Sequence, residues 1–148
     1  MNRALLDGVL HGDVDTFAAF GDAEHCAVID WRDSPAEIVA AVASFLPPNH
    51  LTLGRHSETE CELVVTAKAP KSVLLSPAAK QEMLLLAINE ALQPEFELRQ
   101  FRPFDGDGYS IFVAPRSVWS EIQRAQPQAV DRLFLTMERL AAYWRRGY

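Results

Sequence analysis

From Thr59 to Ala69 the chain alternates in the manner of a half-buried strand. Cys61, Leu63, Val65 and Ala67 fall on one side, and Glu60, Glu62, Val64, Thr66 and Lys68 on the other. His50–His56 reads as its partner across a turn carrying Ser57 and Glu58, and a short strand over Ser72–Leu75 follows. Glu95–Phe101 alternates again, with Phe96 and Leu98 inward and Glu95, Glu97 and Arg99 outward, and Tyr109–Ala114 pairs with it. Cys26–Trp31 is a compact apolar strand bounded by polar residues. Strands joined by short turns pair antiparallel, because parallel neighbours need long crossovers.

A second set of segments follows the helical period. In "DSPAEIVAAVASFLPP", Ser34 is the cap, Pro35 fits the first position, Glu37 completes a capping box, and Ile38, Val39, Val42, Phe45 and Leu46 form one stripe. Residues 3–20 read as one or two short helices carrying Leu5, Leu6, Val9, Leu10, Val14 and Phe17. "SPAAKQEMLLLAINEALQP" starts with Ser76 and Pro77 and is apolar nearly all round over Met83–Ile88, which predicts a central buried helix. "RSVWSEIQRAQ" predicts another helix. "QAVDRLFLTMERLAAYWRR" predicts one long C-terminal helix with Val130, Leu133, Phe134, Met137, Leu140, Ala141 and Trp144 on its stripe and Arg145 and Arg146 at its negative end. Pro47-Pro48-Asn49 is a stop between elements, not a domain boundary. The expectation is a single α+β domain over residues 1–148: a mainly antiparallel sheet of four to six strands, helices packed on one face, a largely open outer face and a C-terminal helix.

At 148 residues the chain is long enough to bury a core without disulfide or metal staples. The N-terminal apolar stretch is broken by Asp7 and Gly8, unlike a secretory signal, and no run approaches the roughly 20 residues of a membrane span. The expected setting is cytoplasmic, with Cys26 and Cys61 as free thiols. The net charge of −6 argues against nucleic acid, whose phosphates require neutralising cations. The charge is uneven. Residues 1–62 hold three basic and 11 acidic residues, a balance of −8, and residues 63–148 hold 11 basic and nine acidic, a balance of +2. An acidic half of this kind either steers a basic partner or serves solubility alone.

The richest candidate loop is "FRPFDGDGYSIFVAP". Taking Asp105 as the first calcium ligand, Asp107 fits the third position. The pattern then fails, with Tyr109 fifth, Ser110 in place of glycine and Arg116 in place of the final glutamate. Asp-Gly between alternating strands reads instead as a tight hairpin turn. His50 and His56 lie about 20 Å apart at the ends of one strand, at about 3.3 Å per residue. A His56–Glu58–Glu60 grouping at the turn is the remaining metal candidate, but exposed turn and strand residues of this kind are usually just solvated. The chain carries no phosphate-binding glycine loop, dinucleotide fingerprint or nucleophile elbow. No catalytic, cofactor or metal residue is therefore assigned, and no cofactor is expected.

The binding candidates are charged and aromatic. Were their strands neighbours, Glu60 and Glu62 with Glu95 and Glu97 would form an acidic stripe on an open sheet face. Such a stripe is a solvated face, a dock for a basic protein, or paired carboxylates for acid–base work. Trp31, flanked by Asp30, Arg32 and Asp33, has the composition of either a binding hot spot or a core edge. The partner-binding set is Glu58, Glu60, Glu62, Glu95, Glu97, Asp30, Trp31 and Asp33.

The stretches "VIDWRDSPAEIV", "AINEALQPEFELRQFRPFDGDGYSIFVAP" and "SVWSEI" together resemble small bacterial immunity-type proteins of secreted-toxin systems, over about residues 26–125. The matching features are strand ends, a helix cap and a hairpin, so no functional residue is carried across. The resemblance implies a cytosolic protein that binds and blocks a cognate toxin by surface complementarity. The leading expectation is thus a non-enzymatic protein-binding module with a basic protein partner, and no nucleic acid or membrane. The alternatives are a small hydrolase or other enzyme with an unrecognised carboxylate/histidine site, and an accessory subunit that forms a homodimer through an apolar helix face.

Overall fold

The computed structural model describes residues 1–104 and 106–145, and the side chains of all of these except Ala78, Trp144 and Arg145. The readings of Asp105, of Trp144 on the helical stripe and of Arg145 and Arg146 at the helix end fall outside that description. In chain order the elements are α1 (Arg3–Leu10), a 3₁₀ turn (Val14–Thr16), α2 (Phe17–Phe20), β1 (Ala27–Ile29), α3 (Pro35–Ala43), β2 (Leu51–His56), β3 (Glu60–Val65), β4 (Lys71–Leu74), a 3₁₀ turn (Pro77–Ala79) running into α4 (Lys80–Leu92), β5 (Phe96–Phe101), β6 (Tyr109–Pro115), α5 (Arg116–Ala125), α6 (Pro127–Leu133), β7 (Phe134–Thr136) and α7 (Met137–Arg145). The fold is α+β. Its strands form two antiparallel sheets, one ordered β1-β6-β5-β7 and the other a β2-β3-β4 meander.

The capping box at Ser34 closes as its spacing requires. Ser34 Oγ accepts the Glu37 N–H at 3.2 Å, and Glu37 Oε1 accepts the Ser34 N–H at 3.4 Å. This anchors α3 so that Ile38, Val39 and Val42 are buried. The larger sheet is buried on both faces. Along β6, Ile111 and Val113 join a core built with α3, α4, α7 and the meander, while Phe112 and Ala114 join a second core built with α1, α2, α5 and α6. A continuous apolar run on a central strand is what two-sided burial demands. The expected open face therefore belongs to the small sheet alone: on β3, Cys61, Leu63 and Val65 are buried, while Glu60 is exposed and Glu62 and Val64 are half-buried.

Two local readings are corrected. The long C-terminal helix is interrupted by β7, whose residues pair with β5 as Arg99↔Thr136, Gln100↔Leu135 and Phe101↔Phe134. Phe134 enters one core and Leu135 the other, which only an extended backbone permits for adjacent residues. Met137, Leu140 and Ala141 of α7 are buried within the chain. The loop between β5 and β6 joins a hairpin but spans residues 102–108, not a two-residue turn. Its last residue, Gly108, lies against β1 with φ +109°, where a Cβ would run into the Ile29 carbonyl oxygen.

Candidate binding surface at the small sheet

The loop after β1 is held by its own carboxylates. Asp33 Oδ2 accepts the Asp30 N–H at 2.8 Å, and Asp30 Oδ1 accepts from the Arg32 backbone N–H at 2.8 Å and from Arg32 Nε at 3.1 Å. From α4, Gln81 Nε2 donates to the Asp30 carbonyl at 3.1 Å and to the Trp31 carbonyl. The Arg32 hydrogen bonds hold the Asp30 carboxyl below its ordinary range. The result is a braced loop that presents Trp31 with 64% of its surface exposed, the Arg32 guanidinium 5.6 Å from the ring centre. Trp31 is thus not a core-edge residue.

Facing this loop is the β2–β3 turn. Ser57 Oγ accepts from the N–H groups of Thr59 at 3.3 Å and Glu60 at 3.2 Å, and the Ser57 N–H reaches the Glu60 carbonyl at 2.7 Å. The register is irregular between Leu53 and His56, and Gly54 lies against the Glu62 carboxylate, which would have to move to admit a side chain there. A cleft of about 600 Å³ separates turn from loop, lined by Arg32, Ser34, Pro35, His56, Ser57, Glu58, Pro77 and Lys80. On the open sheet face a second depression of about 370 Å³ is lined by Arg55, His56, Ser57, Glu60, Cys61, Glu62 and Ser72. Leu74 lies opposite Glu60 in the ladder and is 73% exposed.

Six of the eight sequence candidates, Asp30, Trp31, Asp33, Glu58, Glu60 and Glu62, therefore surround one hairpin tip. The other two do not. β5 lies in the larger sheet between β6 and β7, so Glu95 and Glu97 form no stripe with Glu60 and Glu62. The Glu97 side chain is 14% exposed and accepts from Arg99, whose guanidinium sits 4.6 Å from the Trp119 ring centre and donates to Gln123 at 2.8 Å. Trp119 Nε1 completes the unit by donating to the Glu97 carbonyl at 2.9 Å. This is packing under α5, not a docking face. Glu95 is exposed beside the entry to β5.

The arrangement at the hairpin tip suits recognition better than proton transfer. Arg55, His56, Glu58 and Glu60 are all exposed, whereas carboxylates and histidines are tuned for acid–base work chiefly by burial and close charged neighbours. The thiols are equally unsuited to nucleophilic chemistry. Burial pushes the Cys26 thiol up to about 12, and its Sγ lies 3.1 Å from the Phe20 carbonyl; burial also raises the Cys61 thiol. Asp22, Glu24 and His25 form a grouping that the sequence reading passed over, their potential ligand atoms all within 4.8 Å of one another. Residues 22–26 make a turn in which the Asp22 carbonyl accepts from the N–H groups of His25 and Cys26. His56, Glu58 and Glu60 do not converge in this way among the described residues. His50 stacks edge-on against Phe96, its buried Nε2 without a hydrogen-bond partner.

Comparison with protein-family models, with curated proteins and with solved structures gives no match for this chain.

Proposed function

We propose that this chain is a non-enzymatic protein-binding module that engages a basic partner through the face around the β2–β3 turn, and that its biological role is immunity-type neutralisation of a cognate toxin. The observation that carries this reading is Trp31: a large aromatic side chain, 64% exposed, on a loop already fixed by Asp33 and Gln81. An exposed aromatic on a loop already braced before binding spares the cost of ordering that loop on association, and such residues dominate interface energetics. The surrounding carboxylates Asp33, Glu58 and Glu60 and the −8 balance of residues 1–62 supply long-range attraction for a basic protein. The role as a toxin inhibitor rests on the sequence resemblance together with this surface.

The test is crosslinked affinity capture from cells that express the chain natively, followed by binding measurements on the purified pair. The expected outcome is one stoichiometric protein with a basic surface, bound more weakly as salt is raised, and inactive in the complex. A complex indifferent to salt removes the electrostatic reading, and turnover of a small-molecule substrate by the chain alone removes the binding-module reading.

A further inference from the structure

Resting on the binding-module reading, we infer that the cleft between the start of α3, the β2–β3 turn and the Pro77–Lys80 segment seats an apolar side chain from an extended segment of the partner, with flanking lysines or arginines of that segment against Asp33, Glu58 and Glu60.

The walls define the anchor. Pro35 and Pro77 contribute rigid apolar rings to the lining, and a volume of about 600 Å³ leaves room for a large side chain with the backbone that carries it. Two exposed apolar side chains lie close in sequence to the lining. Trp31 adjoins Arg32, and Leu74 precedes the segment that carries Pro77. These are two of the five large hydrophobic residues exposed among the described residues. Exposed apolar groups next in sequence to the lining fit an extended chain better than a small molecule confined within the cleft.

The rim defines the flanking charges. The cation Arg32 is already bonded to Asp30, and Lys80 lies near Glu37, which the Ser34 hydrogen bonds hold below its ordinary range. No salt bridge among the described residues reaches Asp33, Glu58 or Glu60. Lys80 and Arg55 make no salt bridge among the described residues either, but the carboxylates Glu37, Asp33, Glu58 and Glu60 outnumber them, so the charge left for a partner is net negative. Salt-bridge rims set orientation and association rate, while the buried anchor sets most of the affinity.

The test pans a phage-displayed library of random peptides of about a dozen residues against the intact chain. Enriched peptides are then resynthesised and titrated against wild type, Trp31→Ala, Glu58→Lys and the distant control Glu95→Lys. All three positions are exposed, and thermal unfolding confirms that each variant folds. The expected peptides carry Leu, Phe or Trp beside Lys or Arg. Trp31→Ala and Glu58→Lys each weaken them at least about tenfold, and Glu95→Lys leaves them within about twofold. Enrichment of acidic peptides, failure to enrich any peptide, or equal loss with Glu95→Lys overturns the assignment. The two levels separate cleanly. A natural partner that binds wild type and Glu58→Lys alike defeats the cleft assignment and leaves the binding-module reading standing. Peptides selected at the cleft by a chain that captures no natural protein support the cleft and defeat the wider reading.

Discussion

Gly108 shows how one residue decides a contact between distant segments. Its φ of +109° and its approach to the Ile29 carbonyl leave no place for a Cβ. Gly108→Ala is expected to destabilise the fold by about 2–4 kcal/mol, read from chemical denaturation. Cys26 gives the residue-scale pH effect. Burial raises its pKa from an ordinary 9.0 to about 12, so the folded chain keeps a proton that the unfolded chain releases. That contribution to stability is fully present below about pH 9 and is lost as pH rises toward about 12. Urea unfolding between about pH 7.5 and 10.5 is expected to show stability falling at the alkaline end, with a shallower fall in Cys26→Ala. Iodoacetamide is expected to label Cys26 only once the chain unfolds. Neither property was legible in the sequence, which marks Gly108 as a turn residue and Cys26 as a strand residue without showing what approaches them.

At the scale of elements, local chemistry was legible wherever it is self-contained. The Ser34 capping box, the Glu60–Val65 alternation and the hairpin of β5 with β6 all rest on neighbours in sequence or on a regular period. The failure falls at Phe134–Thr136, where helical spacing on both sides concealed a strand. Pairing with β5 overrides that spacing, because the free edge of β5 and the two cores on either side of it are supplied by remote segments. Leu135 separates the two pictures. It lies off the stripe of a continuous helix, where truncation is nearly neutral, but in β7 it is 6% exposed and packed in the core. Leu135→Ala is expected to cost about 2–5 kcal/mol by denaturation, and carbon chemical shifts at residues 134–136 are expected to report extended backbone.

For the whole molecule, the decisive event is the division of strands between two sheets. One sheet is covered on both faces and supplies stability, which takes Glu97 into a packed unit with Arg99 and Trp119. The other keeps an open face and brings its turn against the loop that presents Trp31. Charge and composition picked out the six candidates near that turn, since carboxylates and aromatics are visible in any sequence whether or not they are exposed. They did not separate those six from Glu95 and Glu97, because sheet membership depends on long-range pairing. The most direct measurement is titration calorimetry of the chain with the protein it captures, comparing wild type with Trp31→Ala. The account predicts a Kd raised at least about tenfold, a loss of about 1.4 kcal/mol or more, with unfolding unchanged. An unchanged Kd would contradict it.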